Sequence, residues 1–307
     1  MTNILLAINI TLMYSAPLIL AALGGVISEK SGVVNLALEG IMTIGAFAGV
    51  LVAYNTGNPW LGFLAAGFAG GFLACFHAIS AVNFKGNQTI SGIALNFIGP
   101  GLAIFLSRVF FDATMSRPVP NRLPRVLGWI DNPDNNLLLL TLNVDSTVII
   151  AFVLTAVMYV FLYKTKWGLR VIAVGEHPEA ADTLGINVKL IRYLCVITSG
   201  ILAGFGGAAF SLAIVSVFTP TVISGSGFIA LAAVIFGKWT PHGVLGACLI
   251  FGFSQALVVL IGASDATVPS EIIGMLPYVL TLLILVFFVG KSLSPKSLGT
   301  PYEKGKR

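Results

Sequence analysis

The sequence predicts an all-α polytopic membrane protein with about eight to ten transmembrane helices. Three observations carry this. Hydrophobic residues make up 57% of the 307 residues and charged residues 9%, where a soluble domain carries about 25% charged residues. Mean hydropathy is +0.96. The apolar runs are about 20 residues long, enough for a helix to cross roughly 30 Å of hydrocarbon, whereas a barrel would show alternating segments of roughly ten residues. A chain this apolar cannot cover itself with a water-compatible surface. Its solvent is membrane lipid, and a soluble enzyme or a nucleic-acid binder is excluded.

Apolar runs between polar breaks give candidate helices at 4–27, 33–54, 60–83, 88–111, 145–163, 190–216, 227–237, 242–262 and 271–290. The first run has no Lys or Arg ahead of it, unlike a cleaved signal peptide, and reads as the first span. The run 227–237 is too short to cross alone. With Pro220, Gly225 and Gly227 ahead of it, it reads as a short broken or re-entrant helix, or as part of its neighbour across Pro241. Gly45 and Gly49, Gly67 and Gly71, and Gly200 and Gly204 stand four apart, a spacing that lets helix backbones approach closely in a bilayer. Cys75, Cys195 and Cys248 all lie in apolar runs and read as small buried hydrophobes.

Positive charge sets the orientation. With segment 164–192 in the cytoplasm and sides alternating, 13 of the 17 basic residues fall inside. Four, Arg108, Arg117, Arg122 and Arg125, fall outside, as the excess of Lys and Arg in cytoplasmic loops requires. The N-terminus is then outside and the C-terminus cytoplasmic. Residues 1–307 read as one transmembrane domain with an extracytoplasmic loop at 112–144, a cytoplasmic loop at 164–192 and a basic cytoplasmic tail at 291–307.

The sequence carries no metal, nucleophile-elbow or haem motif. The nearest approach to a phosphate-binding loop is Gly290-Lys291-Ser292, with Leu285 where the first glycine belongs. Any ATP chemistry therefore belongs to another chain. The loop 164–192 instead holds eight of the 29 charged residues and the phrase HPEAADTLG. Pro178 suits a first helical turn. Glu179 and Asp182 complement the positive end of the helix dipole, Ala180 and Ala181 continue the helix, and Gly185 is a ready C-terminal stop. A helix of about two turns is expected, too short to stand without packing on something.

EAADTLG resembles the EAA loop of ATP-binding-cassette importer permeases. The longer WGLRVIAVGEHPEAADTLGINV, together with GGVISEKSGVVNLALEGIMTIGAF at 24–47, NQTISGIALNFIGPGL at 87–102 and GSGFIALAAVIFGKWTPHGVLGACLIFG at 225–252, is similar to the branched-chain amino acid, ribose and nucleoside permease group. The form SEKSGVVNLALEG resembles its nucleoside permeases most. The absence of I-x-L-P after Gly185 sets it apart from maltose-type permeases. This resemblance implies a non-catalytic permease subunit of a bacterial inner-membrane importer. Pro178, Glu179, Ala180, Ala181, Asp182 and Gly185 would form its ATPase-coupling helix. It further implies a partner ATPase carrying ATP and Mg, a second permease subunit forming a heterodimer, and an extracytoplasmic solute-binding lipoprotein. No cofactor or metal is expected in this chain. Nucleosides are the leading solute, with ribose, another simple sugar or a branched-chain amino acid as alternatives. A proton-coupled or facilitative carrier with Glu39 as relay is the alternative class.

Polar side chains within spans face a cavity or another helix. Glu39 is the one acidic residue well inside an apolar run, and Asn35 is expected one turn earlier on the same helix face. Asn96 and Gln255 add uncharged hydrogen-bonding groups. These four are the candidates for a translocation path for a neutral polar solute; an interhelical bond is the alternative at each.

Overall fold

The computed structural model describes residues 2–128, 143–262, 270–288 and 294–303. Among them, seven helices are long and apolar enough to cross a membrane. They are α1 (Thr2–Lys30), α2 (Leu38–Thr56), α3 (Pro59–Ala78, extended by a π-helical turn Ile79–Asn83), α4 (Gln88–Phe111), α5 (Ser146–Lys164), α8 (Val188–Ala208, extended by a π-helical turn Ala209–Ile214) and α10 (Pro241–Gly262). Between α5 and α8 lie α6 (Lys166–Glu176) and α7 (Pro178–Thr183). The short α9 (Ser226–Phe236) precedes α10, and α11 (Ser270–Gly274) and α12 (Leu276–Phe288) follow it.

Close glycine contacts weld the centre. A Cβ on Gly45 would meet the backbone of Gly204 at 2.6 Å, and one on Gly71 would lie 2.8 Å from Ile201. The expected small-residue stripes thus join α2, α3 and α8. The middle of α1 is shielded on every side, with Leu18, Ile19, Leu20, Leu23 and Val26 at most 2% exposed. By contrast α4 shows Ile90, Phe97 and Phe105 on its outer face, as a lipid-facing helix should. Cys195 and Cys248 are buried and Cys75 is half-buried, all as free thiols.

Two expectations need correction, and the reading of 227–237 as a short broken helix holds. The run 33–54 does not begin as a helix: residues 31–37 are irregular and α2 starts at Leu38. Asn35 and Glu39 therefore do not share a helix face. The run 227–237 stays a separate short helix, ended by the Gly237–Thr240 turn. The run 271–290 is divided at Met275 into α11 and α12, and its last two residues lie outside the described ones. The two broken passages supplement the seven whole helices.

Hydrogen bonds define the two ends of the bundle. At one end residues 116–128 lie over the tips of α2 and α8, with Ser116 N–H donating to Phe218 O at 3.0 Å and Leu123 N–H to Leu212 O at 3.2 Å. Asn121 Nδ2 donates to Gly57 O at 2.8 Å. Of loop 112–144, residues 129–142 lie outside the described ones. At the other end, segment 31–34, α6, α7 and residues 294–303 meet: Ser297 N–H donates to Gly175 O at 3.0 Å and Gly299 N–H to Gly32 O at 3.1 Å. This second end carries Lys30, Lys85, Arg192 and Lys296. Of the tail 291–307, residues 291–293 and 304–307 lie outside the described ones.

Candidate functional site

The break between α1 and α2 is the first unusual region. A buried peptide group in lipid must find a partner, and here side chains supply them. Ser28 Oγ donates to Val33 O at 2.8 Å. Val34 N–H donates to Gln88 Oε1 at 2.7 Å, and Val34 O pairs with His77 Nε2 at 2.8 Å. That carbonyl partner places the imidazole proton on Nε2, leaving Nδ1 to accept from Ser91 Oγ at 3.0 Å. Asn35 is fully buried; its Oδ1 accepts from Ala37 N–H at 3.1 Å and its Nδ2 donates to Ser199 Oγ at 2.8 Å. Asn96 of α4 spans the rest, donating to Leu36 O at 2.7 Å and accepting from Gly40 N–H at 2.9 Å. It thereby caps the first turn of α2 from a neighbouring helix, filling the role of a local N-cap side chain.

The second unusual region faces this break. After Phe218 the chain leaves the 116–128 end without helical structure and turns at Ser224 and Gly225, both at positive φ (40° and 85°). It then begins α9. The first amides of a helix lack intrahelical partners and its dipole favours an anion there. Glu39, in the first turn of α2, supplies one: its two carboxylate oxygens accept from Gly225 N–H and Gly227 N–H at 2.7 Å each. Tyr278 of α12 donates its hydroxyl to Ser224 O at 3.1 Å. The rings of Phe228 and Tyr278 are about half exposed here. Just past the far end of α9, the Trp239 indole N–H donates to the carboxylate of Glu29 on α1. Two acidic residues from α1 and α2 thus hold the short helix at both ends.

Of the four predicted path residues, the structure brings Asn35, Glu39 and Asn96 together around the break. Gln255 lies half-buried in α10, and no described hydrogen bond joins it to the group. Sequence reasoning missed Glu29, His77, Gln88 and Ser199. His77 and Ser199 lie inside apolar runs and Gln88 at the start of one, a signal that could have found them; Glu29 stands in the polar break after the first run.

The third region is the charged loop. Pro178 opens α7 at its first position with Glu179 in the first turn, and Gly185 stands at φ +80° beyond its end, a conformation costly for residues with a Cβ. Ile186 N–H donates back to Ala181 O at 3.1 Å and Gly185 N–H to Asp182 O at 2.9 Å, the bonds of a glycine-ended helix. Pro178 and Ala181 are buried, while Glu179, Ala180 and Thr183 are exposed. Leu184 is 81% exposed, high for an apolar side chain outside lipid. Beside it lies a cleft of about 360 Å³ lined by Asp182, Gly185, Asn187, Lys189 and Tyr302. The loop also holds α6, not foreseen from sequence. Thr165 caps it, accepting from Gly168 N–H at 3.1 Å, and its Val171 and Val174 are buried.

Residues 7–286 match the family described as the branched-chain amino acid transport system permease component. The chain is 44% identical over 307 residues to the guanosine ABC transporter permease protein NupQ of Bacillus subtilis (strain 168), covering 97% of this chain and 96% of that one. It is 39% identical over 313 residues to the nucleoside ABC transporter permease protein NupC of Lactococcus lactis subsp. cremoris (strain MG1363), covering 96% of each. A more distant relative, the glucose ABC transporter permease protein TsgB13 of Haloferax volcanii, is 28% identical over 290 residues, covering 91% of this chain and 74% of the other. A bundle of crossing-length helices, matched over nearly its whole length, thus belongs to the family of ABC importer permease components named for branched-chain amino acid transport.

Proposed function

We propose that this chain conducts nucleosides across a bacterial cytoplasmic membrane, paired with a second, non-identical permease subunit. ATP is hydrolysed, with Mg, on a separate ATPase. A solute-binding lipoprotein delivers the nucleoside to the end that carries loop 112–144. The N-terminus is outside and the C-terminus cytoplasmic, a reading supported by the clustering of Lys30, Lys85, Arg192 and Lys296 at the end occupied by α6 and α7. Nucleosides are favoured over a simple sugar by the 44% identity to the guanosine permease over 97% of this chain, against 38% to a putative glucose permease over 81% of it.

The observation that carries the mechanism is α7. Pro178, Glu179, Ala180, Ala181, Asp182 and Gly185 build a two-turn helix with one buried and one exposed face, ending in the exposed Leu184. The exposed face docks on the ATPase, and movement of that subunit swings α7. The solute path runs beside the break, past Glu39, Gly225 and the exposed rings of Phe228 and Tyr278, since non-helical backbone at membrane depth persists where it is buried or lines a cavity. Asn35 and Asn96 shape the path by holding the break. Gln255 is proposed to face it from α10. Aromatic rings suit a flat, neutral base.

The test is reconstitution of both permeases with the ATPase and lipoprotein in vesicles. ATP-driven guanosine uptake should be competed by purine or pyrimidine nucleosides, and not by ribose, glucose or leucine. ATP-driven uptake that survives replacement of 176–186 by a flexible linker would sink the coupling role of α7. Sugar competition with no effect of nucleosides would favour the sugar reading.

A further inference from the structure

Residues 294–303 form a strap across the end that carries α6 and α7. Each stretch of it is fastened to a different element. Ser297 donates its N–H to Gly175 O of α6 at 3.0 Å and its Oγ–H to the same carbonyl at 2.7 Å. Gly299 N–H donates to Gly32 O in the break at 3.1 Å. Tyr302 hydrogen-bonds the side chain of Asp182 on α7. Glu303 pairs with Lys85, just past α3, at 3.1 Å.

Arg192 of α8 lies under the strap at 2% exposure. Its Nη1 donates to Thr300 O at 3.0 Å and its Nη2 to Ser297 Oγ at 3.3 Å. A guanidinium is seldom buried without partners, because stranding its charge away from water is costly. Lifting the strap from α8 would break both of these bonds. The strap is therefore bound to follow α8 rather than slide over it. α6 in turn packs on the end of α1, where a Cβ on Gly175 would collide with Lys30 O.

We propose that the strap, fastened by Arg192, is the link that makes the 31–37 break follow α7. When α7 is displaced, Asp182 draws Tyr302, and Gly299 passes the motion to Gly32. Gly32 is the second residue of the break, which ends at Ala37, two positions before Glu39 and its grip on α9. Arg192, Ser297 and Tyr302 are positioning residues: they touch neither the solute nor ATP. The inference rests on α7 being the ATPase-coupling helix.

The test uses the complete reconstituted complex with Arg192→Met, Arg192→Lys and Tyr302→Phe permeases. Three quantities are measured: ATPase co-purified, ATP turned over, and guanosine taken up per ATP. Arg192→Met should keep its ATPase yet move about fivefold less guanosine per ATP, the low end of typical coupling between sites. Arg192→Lys should recover much of the loss, and Tyr302→Phe should show a smaller loss. An unchanged ratio in Arg192→Met overturns the proposal. So does loss of the ATPase that Arg192→Lys does not repair, since the strap would then be only a docking scaffold. Should Arg192→Met fail to fold, the ratio in Tyr302→Phe decides. Failure of the coupling reading itself shows separately, as uptake that survives the 176–186 replacement.

Discussion

Glu39 accepts a hydrogen bond from Gly227 N–H at 2.7 Å, joining the first turn of α2 to the first turn of a short helix 188 positions later. The same carboxylate takes Gly225 N–H at 2.7 Å. Glu39→Ala removes both acceptors and the charge. The expected cost is about 2 kcal/mol or more, read as a lower melting temperature in detergent, with uptake falling in parallel. Glu39→Gln keeps one acceptor and should fall between the two. Equal melting of Glu39→Ala and the native protein would show that α9 is held by other contacts.

Asn96 carries two backbone partners in the break. Asn96→Ala strands Leu36 O and Gly40 N–H, each costing about 1–3 kcal/mol if nothing replaces the bond. Ser199→Ala removes one partner of Asn35 and should cost less. Thermal melting of the two variants checks the order, and the reverse order would contradict the assignment of Asn96 as the cap of α2.

Leu184 is expected to be buried by the ATPase. Leu184→Asp should weaken ATPase co-purification by about tenfold, the scale of a modest interface hot spot. Gly185→Val, which forces a β-branched residue to positive φ, should cost about 1–2 kcal/mol and loosen α7 as well. Full ATPase retention in Leu184→Asp would move the docking face elsewhere.

Asp145 is a pH-sensitive group at the 116–128 end. It is 2% exposed and lies 3.8 Å from Arg125 Nε. Burial pushes its carboxyl up from 3.8 to about 6, against the opposing pull of Arg125 and Arg122. Between those values the folded protein holds the proton more tightly than the unfolded chain. Asp145 therefore favours folding most below pH about 4, and this contribution is lost as pH rises through about 6. Asp145→Asn should flatten that part of the dependence of melting temperature on pH. A profile unchanged by the substitution would place the titration on another group.

The spans were legible because lipid imposes length and composition on a helix directly. So was α7, because Pro178 and Gly185 punctuate it locally. Most of the break at 31–37 was hidden: Ser31 and Gly32 fall in the polar gap between two runs, but VVNLA at 33–37 continues an apolar run that reads as helix. What halts the helix is distant, in Gln88, His77, Asn96 and Ser199. Glu39 was singled out as the acid well inside an apolar run, yet its partners, Gly225 and Gly227, are backbone groups that leave no trace in side-chain chemistry. Arg192 looked like one more inside charge, since its burial depends on a strap more than 100 positions away.

The break also bears on how the chain is made. Asn35 finds Ser199 164 positions later, so α1 and α2 leave the ribosome long before α8 exists. Until α8 inserts, the Asn35 amide has no Ser199 to meet, and the Val34 and Leu36 carbonyls wait for α3 and α4. The early hairpin cannot reach its final form in lipid on its own. It must linger beside the insertion machinery, or take temporary water partners, and lock only when the second half of the protein arrives.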